Sequence, residues 1–350
     1  MSFNQFILRE QYTKVQGLGD RLPLMKEQIS WETFRPLVAQ VFFDNDKTGG
    51  RPHTDEILVV RCMLLQQCYG LSDEELEFMI YDRLSFRNFL DFPENIPDFS
   101  TVWKIRDRLI QAGMEPKIWG ELQRQLDTKG YTIKKGVIQD ASFIEADLGR
   151  KRYHKEKKAK ERGEEIIYTE KQKSHMDKDG SFAIKHGQVH FGYKDHVKLD
   201  VDYNLIREYD ITTAKDHDST INLIEEGDIA AYRDKGYVGT AVPKGVIDKT
   251  MKKGTKARKI NGGEQKRNRA ISSVRAPGER PFSVLKRVFH GGRTFVKNIQ
   301  RVSIKEMFKL FVFNLYQLVT IKRRELAKAL WDREKMKKSE PKVNGNKMIF

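Results

Sequence analysis

The sequence predicts an α/β fold behind an all-helical N-terminal region, and three observations predict it. Apolar residues recur at helical spacing through the first third of the chain. From about Tyr131 they give way to short β-prone runs, and these runs alternate with helical segments in the order β-β-β-α-β-(α)-β-α. The expected organisation is a helical region at 1–130, an α/β region at 131–302, C-terminal helices at 303–334 packing on it, and a polar tail at 335–350.

In the helical region, Ile57 to Tyr69 is strongly apolar, with Arg61, Gln66 and Gln67 as its clearly polar members and Gly70 where a left-handed C-terminal cap belongs. Directly after it, Ser72 and Glu75 form a capping-box pattern, and Leu71 can staple to Leu76, so one helix stops and another starts across a sharp turn. Pro93 and Pro97 punctuate the next loop. Ser100 then opens a helix with Val102, Ile105, Leu109 and Ile110 inward and Lys104, Arg106 and Arg108 outward. Trp103 and Trp119 read as core anchors.

In the α/β region, Val137-Ile138 and Phe143-Ile144 flank Asp140 in a first strand. Arg150 to Lys185 is rich in Lys and Glu and poor in apolar anchors, which predicts a solvated insertion. Val189 to Lys194 is an alternating strand, and Leu205 to Thr213 its antiparallel neighbour across a turn at Asp202 to Asn204. A short helix at Ser219 to Glu226 precedes a buried strand, Ile229 to Tyr232, which ends next to Asp234. A strand near Val246 to Met251, a basic loop and a helix from about Gly278 to His290 follow, and Ile304 to Leu330 forms one long helix or two.

Composition narrows the function. With 39% hydrophobic and 33% charged residues, the 350-residue chain is globular, and 65 Lys and Arg against 49 Asp and Glu leave a formal charge of +16. That excess points to a polyanion as partner, nucleic acid first. Cys62 and Cys68 suit neither a disulfide framework nor a zinc site. The N-terminus has no signal-peptide core, and Phe308 to Ile321 is too short for a membrane span and carries Lys309, Asn314 and Gln317. A reduced, cytoplasmic chain with no membrane partner is expected.

Three carboxylates carry the candidate chemistry: Asp140 inside the first strand, Asp234 at the end of a later one, and Glu279 near a helix start. A carboxylate flanked by Val137, Ile138 and Phe143 needs a partner. Two such charges about 4 Å apart repel by roughly 4 kcal/mol at an effective dielectric near 20. A cluster of three therefore binds divalent cations or changes its protonation, and an all-oxygen donor set favours Mg2+ or Mn2+ over Zn2+. Arg275, Glu279 and Lys286 share one arc of a helical wheel, although Pro281 requires Glu279 to lie in a first turn with Arg275 on the preceding segment. Basic residues greatly outnumber acidic ones from Lys244 to Arg301, the stretch that brackets Glu279.

Four motifs in order carry a family resemblance: His190-Phe191-Gly192-Tyr193-Lys194, Tyr232-Arg233-Asp234-Lys235-Gly236-Tyr237, the block from Ser273 to Phe282, and Arg275-x3-Glu279-x6-Lys286. Together they resemble DDE transposases of bacterial insertion sequences, in particular insertion-sequence family five, and Gly50-Arg51-Pro52 with the following helices resembles that family's N-terminal domain. The resemblance implies a ribonuclease H-like catalytic domain with a mixed five-stranded sheet and flanking helices, preceded by an α-helical, helix-turn-helix-like DNA-binding domain. It also implies Asp140, Asp234 and Glu279 as catalytic acids holding two Mg2+ ions, with Mn2+ able to substitute, and Arg275 and Lys286 as signature basic residues. Lys104, Arg106, Arg108 and Lys194 are further candidate DNA contacts. The partners implied are double-stranded DNA, as terminal inverted repeats and target, and further copies of the chain in a homodimer or larger assembly. One departure is Ser272, where related groups place a Tyr. The alternatives are a catalytically idle repressor and a nuclease without end specificity.

Overall fold

The computed structural model describes residues 3–42, 53–148, 150–174, 176–185, 187–255 and 258–339. Gly50-Arg51-Pro52 and residues 340–350 of the polar tail lie outside them.

The helical region consists of α1 (Phe3–Gly17), α2 (Leu22–Lys26), α3 (Arg35–Val38), α4 (Glu56–Tyr69), α5 (Asp73–Asp82), α6 (Leu84–Phe89), α7 (Phe99–Gln111) and α8 (Glu115–Thr128). Local chemistry sets the boundaries. Asp55 caps α4 by accepting from Leu58 N–H at 2.8 Å, and Gly70 ends it at φ 65°. Glu75 N–H donates to Ser72 Oγ at 3.1 Å while Ser72 N–H donates to Glu75 Oε2 at 2.8 Å, completing the capping box. Asp98 caps α7. Helix α4 is buried almost all round, which makes it the centre of this region.

Next come β1 (Val137–Ala146), α9 (Arg150–Arg162), α10 (Glu170–Ser174), β2 (Ser181–Lys185), β3 (Gln188–Asp200), β4 (Ile206–Thr213), β5 (Ala230–Arg233), β6 (Ile247–Thr250), α11 (Gly262–Arg275), α12 (Glu279–Arg287), β7 (Arg293–Thr294) and α13 (Ile299–Ser339). The strands form one mixed sheet. Five of them run in the order β4-β3-β1-β5-β6, with β3 antiparallel to β1 and β4, and β1, β5 and β6 parallel. The sheet has seven strands among the described residues, not the expected five, because short β2 pairs with β3 and short β7 with the end of β1.

Three expectations need correction. Residues 150–185 are not simply solvated chain: they hold α9, α10 and β2, anchored by the pairing of β2 with β3, by Phe182 against Phe191 and by two carboxylates. Buried Asp177 accepts from Tyr193 Oη at 2.7 Å, and Asp179 Oδ2 accepts from Ile299 N–H at 2.8 Å, which fixes the start of α13. Ser219 to Glu226 folds only as a 3-10 turn, Asp218–Thr220, capped by the His217 ring, and continues irregularly. Trp103 is no core anchor: it is 41% exposed, with the Arg301 guanidinium 5.6 Å from its ring centre. Trp119 is buried and donates its Nε1–H to Arg207 O at 3.1 Å.

Helix α13 joins the two regions. Its apolar residues from Ile304 to Ile321 share one core with α4, α7 and α8 and with Val197, Leu199 and Ile206 of the sheet. Asn314 docks it on β4 by accepting from Ile206 N–H and donating to Ile206 O, both at 2.8 Å. No helix among the described residues is long and apolar enough to cross a membrane.

Candidate active site

Strand pairing brings the first two acids together. Val137 pairs with Ala231 and Ile138 with Tyr232 across parallel β1 and β5, and two residues beyond that last pair stand Asp140 and Asp234. They lie side by side where β5 ends and its chain leaves the sheet, beyond the carboxyl end of a parallel strand, the usual place for a site in such sheets. Arg233 is fully buried and holds that exit, donating Nε–H to Thr250 Oγ1 at 3.0 Å and Nη2–H to Thr240 O at 2.9 Å. Asp234 then caps the turn Lys235–Tyr237, its Oδ1 accepting from Gly236 N–H at 2.7 Å.

Two helices deliver the third acid. Asn261 and Glu264 cap α11 with a second capping box, and Asn268 binds both N–H and O of Lys252, each at 2.9 Å, tying α11 to the chain after β6. A 3-10 turn, Ala276–Gly278, separates α11 from α12, so Arg275 ends one helix and Glu279 begins the next, as Pro281 requires. Gly278 lies directly on Ile138, where a Cβ would come within 2.9 Å of Ile138 Cγ2. Ile138 and Asp140 share a face of β1, so this close approach brings Glu279 to Asp140.

The electrostatics are those of a carboxylate cluster short of positive charge. Asp140 Oδ1 accepts from Ala141 N–H at 2.9 Å and Oδ2 from Arg275 Nη2–H at 3.0 Å. Burial pushes the Asp140 pKa up; Arg275 and the Ala141 N–H oppose the shift, and the Asp234 and Glu279 carboxylates add to it. Among the described residues no three His, Cys, Asp or Glu side chains enclose a ready-made metal nest. The donor chemistry nonetheless suits a hard divalent cation: the Asp234 and Glu279 carboxylates both act on Asp140, and among the described residues Arg275 is the cation bonded to it.

The basic candidates divide. Lys104 and Arg108 are exposed on α7, and Lys286 is exposed on α12 about two turns beyond Glu279. Arg106 does not face outward: it is 5% exposed, paired through both Nη atoms with Asp73 at 2.8 and 2.9 Å and bonded to Gln66 at 2.9 Å. Lys194 is buried as well, bonding Asp216 O at 2.6 Å and Asp218 Oδ1 at 2.8 Å. Both cations satisfy carboxylates inside the protein and are not free for DNA. His190 stacks on Phe143, and His196 Nε2 meets Thr212 Oγ1 at 2.9 Å. Tyr237, unremarked in the sequence beyond its place in a motif, is buried beside the acids, and its hydroxyl has no partner among the described residues.

Comparison with known families gives two matches. Residues 9–108 match a family described as Transposase domain (DUF772), and residues 131–315, just over half of the chain, match one described as Transposase DDE domain, which implies a ribonuclease H-like fold. No solved structure matches the chain.

Proposed function

The chain belongs to the transposase DDE domain family and is a DNA transposase that cleaves and transfers DNA strands, and we propose that Asp140, Asp234 and Glu279 are its catalytic carboxylates. The observation that carries this reading is the parallel pairing of Ile138 with Tyr232, which sets Asp140 beside Asp234, together with the packing of Gly278 on Ile138 that delivers Glu279. Enzymes of this family work with divalent metal ions. The three acids would hold two Mg2+ ions, replaceable by Mn2+, which when bound supply an activated water or 3′-hydroxyl and charge to balance the leaving oxygen.

The residues of the chain then have separate tasks. Asp140 is held within strand β1 and by the Ala141 N–H, and Asp234 by the Gly236 N–H that it caps, so their oxygens are oriented before substrate arrives. Arg275 balances Asp140 and, with exposed Lys286, borders the site with positive charge for the DNA backbone. The spacing Arg275-x3-Glu279-x6-Lys286 supports the finer assignment to insertion-sequence family five.

Residues 1–130 are the DNA-recognition region, with the α4-Gly70-α5 turn as a helix-turn-helix-like element and α7 presenting Lys104 and Arg108 to the element's terminal repeats. The α/β region spans 131–302. The residues from 303 to 334 link the two regions, and a homodimer or larger assembly pairs the element ends. Exchanging Lys104 and Arg108 together for Ala is expected to remove the preference for terminal-repeat DNA in a competition gel shift while leaving the fold intact. Arg106→Ala should act differently, lowering stability by about 3–5 kcal/mol in chemical denaturation because Asp73 is left unpaired. Unchanged selectivity in the double variant would remove α7 from the reading helices.

The test of the whole reading is strand cleavage of the gene's own flanking DNA by the purified chain, in Mg2+ and in EDTA, with Asp234→Ala alongside. Metal-dependent cuts at the element ends that vanish in the variant are expected. Equal cutting by the variant would overturn the assignment of the acids.

A further inference from the structure

Tyr237 poses a problem that packing alone does not answer. Its side chain is 1% exposed, and its ring lies 5.9 Å from the guanidinium carbon of fully buried Arg233. Its hydroxyl, however, meets no hydrogen-bond partner among the described residues. A buried hydroxyl without a partner is uncommon and costly, so one that persists calls for a role. Its surroundings indicate which. Burial pushes its pKa up, the carboxylates of Asp140, Asp218 and Asp234 add to the shift, and Arg275 opposes it. All three acids already have fixed donors: Ala141 N–H and Arg275 for Asp140, Lys194 for Asp218, and Gly236 N–H for Asp234. The Tyr237 hydroxyl is a donor in reserve, on the turn that Asp234 caps and beside acids whose hydrogen bonding must change when a cation enters.

We infer that Tyr237 is a positioning residue for the metal site, its hydroxyl donating to Asp140 when that carboxylate turns to a bound divalent cation. The inference rests on the reading of Asp140, Asp234 and Glu279 as the metal-holding acids. A carboxylate that gives one oxygen to a metal leaves its remaining lone pairs to be oriented by outer donors, and such donors commonly matter for affinity roughly 10- to 100-fold. Arg275 is the present partner of one Asp140 oxygen, and a Tyr237 donor would keep Asp140 oriented if a bound cation displaced that pair.

The experiment compares full-length wild type, Tyr237→Phe and Asp234→Asn in two measurements: Mn2+ binding followed by the EPR signal of free Mn2+, and thermal unfolding in EDTA. Tyr237→Phe deletes one oxygen and keeps the ring. It should weaken Mn2+ binding by about tenfold or more while leaving the metal-free unfolding midpoint unchanged or higher, because an unpaired polar atom has gone. A lower metal-free midpoint would mean that the hydroxyl serves the fold, and the inference fails. Mn2+ affinity changed by less than about tenfold, with Asp234→Asn losing binding, also overturns it but leaves the acids in place. Wild-type Mn2+ affinity in Asp234→Asn would overturn the reading of the acids, and this inference with it.

Discussion

Asp140→Asn and Asp234→Asn are each expected to retain DNA binding and to lower strand cleavage by at least about a thousandfold, since metal charge stabilises such transition states by several kcal/mol and each 1.36 kcal/mol is tenfold. Asn keeps the shape of Asp but only one acceptor oxygen, so the Gly236 contact of Asp234 can persist, whereas Asp140→Asn keeps one of its Ala141 and Arg275 contacts and turns an NH2 toward the other donor. Asp234→Asn therefore tests charge with its capping bond kept, and Asp140→Asn tests charge together with one lost hydrogen bond. DNA affinity should hold or rise slightly, because one negative charge disappears near the phosphates while the basic surface stays intact. A gel shift and a cleavage assay on the same preparations separate the two effects. Cleavage by Asp140→Asn at the wild-type rate would exclude Asp140 from the reacting centre.

What could be read in the sequence was local or periodic. Ser72 and Glu75 bond across one helical turn, and the Gly70 cap closes on its own helix, so residue types and spacing sufficed for both. Asp140 and Asp234 stood out because each breaks or ends a short apolar run, and the parallel register that joins them follows from those runs being neighbouring strands. What could not be read depends on partners far along the chain. Arg106 fits a polar helix face by spacing, yet Asp73 and Gln66, 33 and 40 residues away, turn it inward. Lys194 ends a motif that resembles the family and reads as a candidate DNA contact, but Asp218 engages it. The segment from 150 to 185 has few apolar anchors, and its attachment through Asp177 and Asp179 to Tyr193 and the start of α13 leaves no periodic trace. The shared core around α13 is of the same kind: its apolar run was legible, its neighbours were not.

Gly192→Ala should be among the most damaging single substitutions in the catalytic sheet. Gly192 pairs with Glu145 of β1 on one side and Ser181 of β2 on the other, and its carbonyl accepts from Ala214 N–H at 3.0 Å, so three segments converge on it. Its φ of +143° is one that L side chains rarely adopt, and an added Cβ would stand 2.2 Å from Ile144 O and 2.7 Å from Ala146 N. Both obstacles are backbone of β1, the strand that carries Asp140, and neither can swing aside as a side chain would. Strain from the dihedral, about 1–3 kcal/mol, adds to overpacking of about 1–3 kcal/mol, so a loss of roughly 2–6 kcal/mol is expected in chemical denaturation. Gly227→Ala isolates the first contribution: its φ is +100° but nothing lies within 4 Å of the added atom. If the two variants lose equal stability, the close approach to β1 contributes nothing, and the glycine of the His190-to-Lys194 motif is needed for its dihedral alone. If Gly192→Ala loses clearly more, that glycine is there because β1 leaves no room for a side chain, which ties the motif to the strand that holds Asp140.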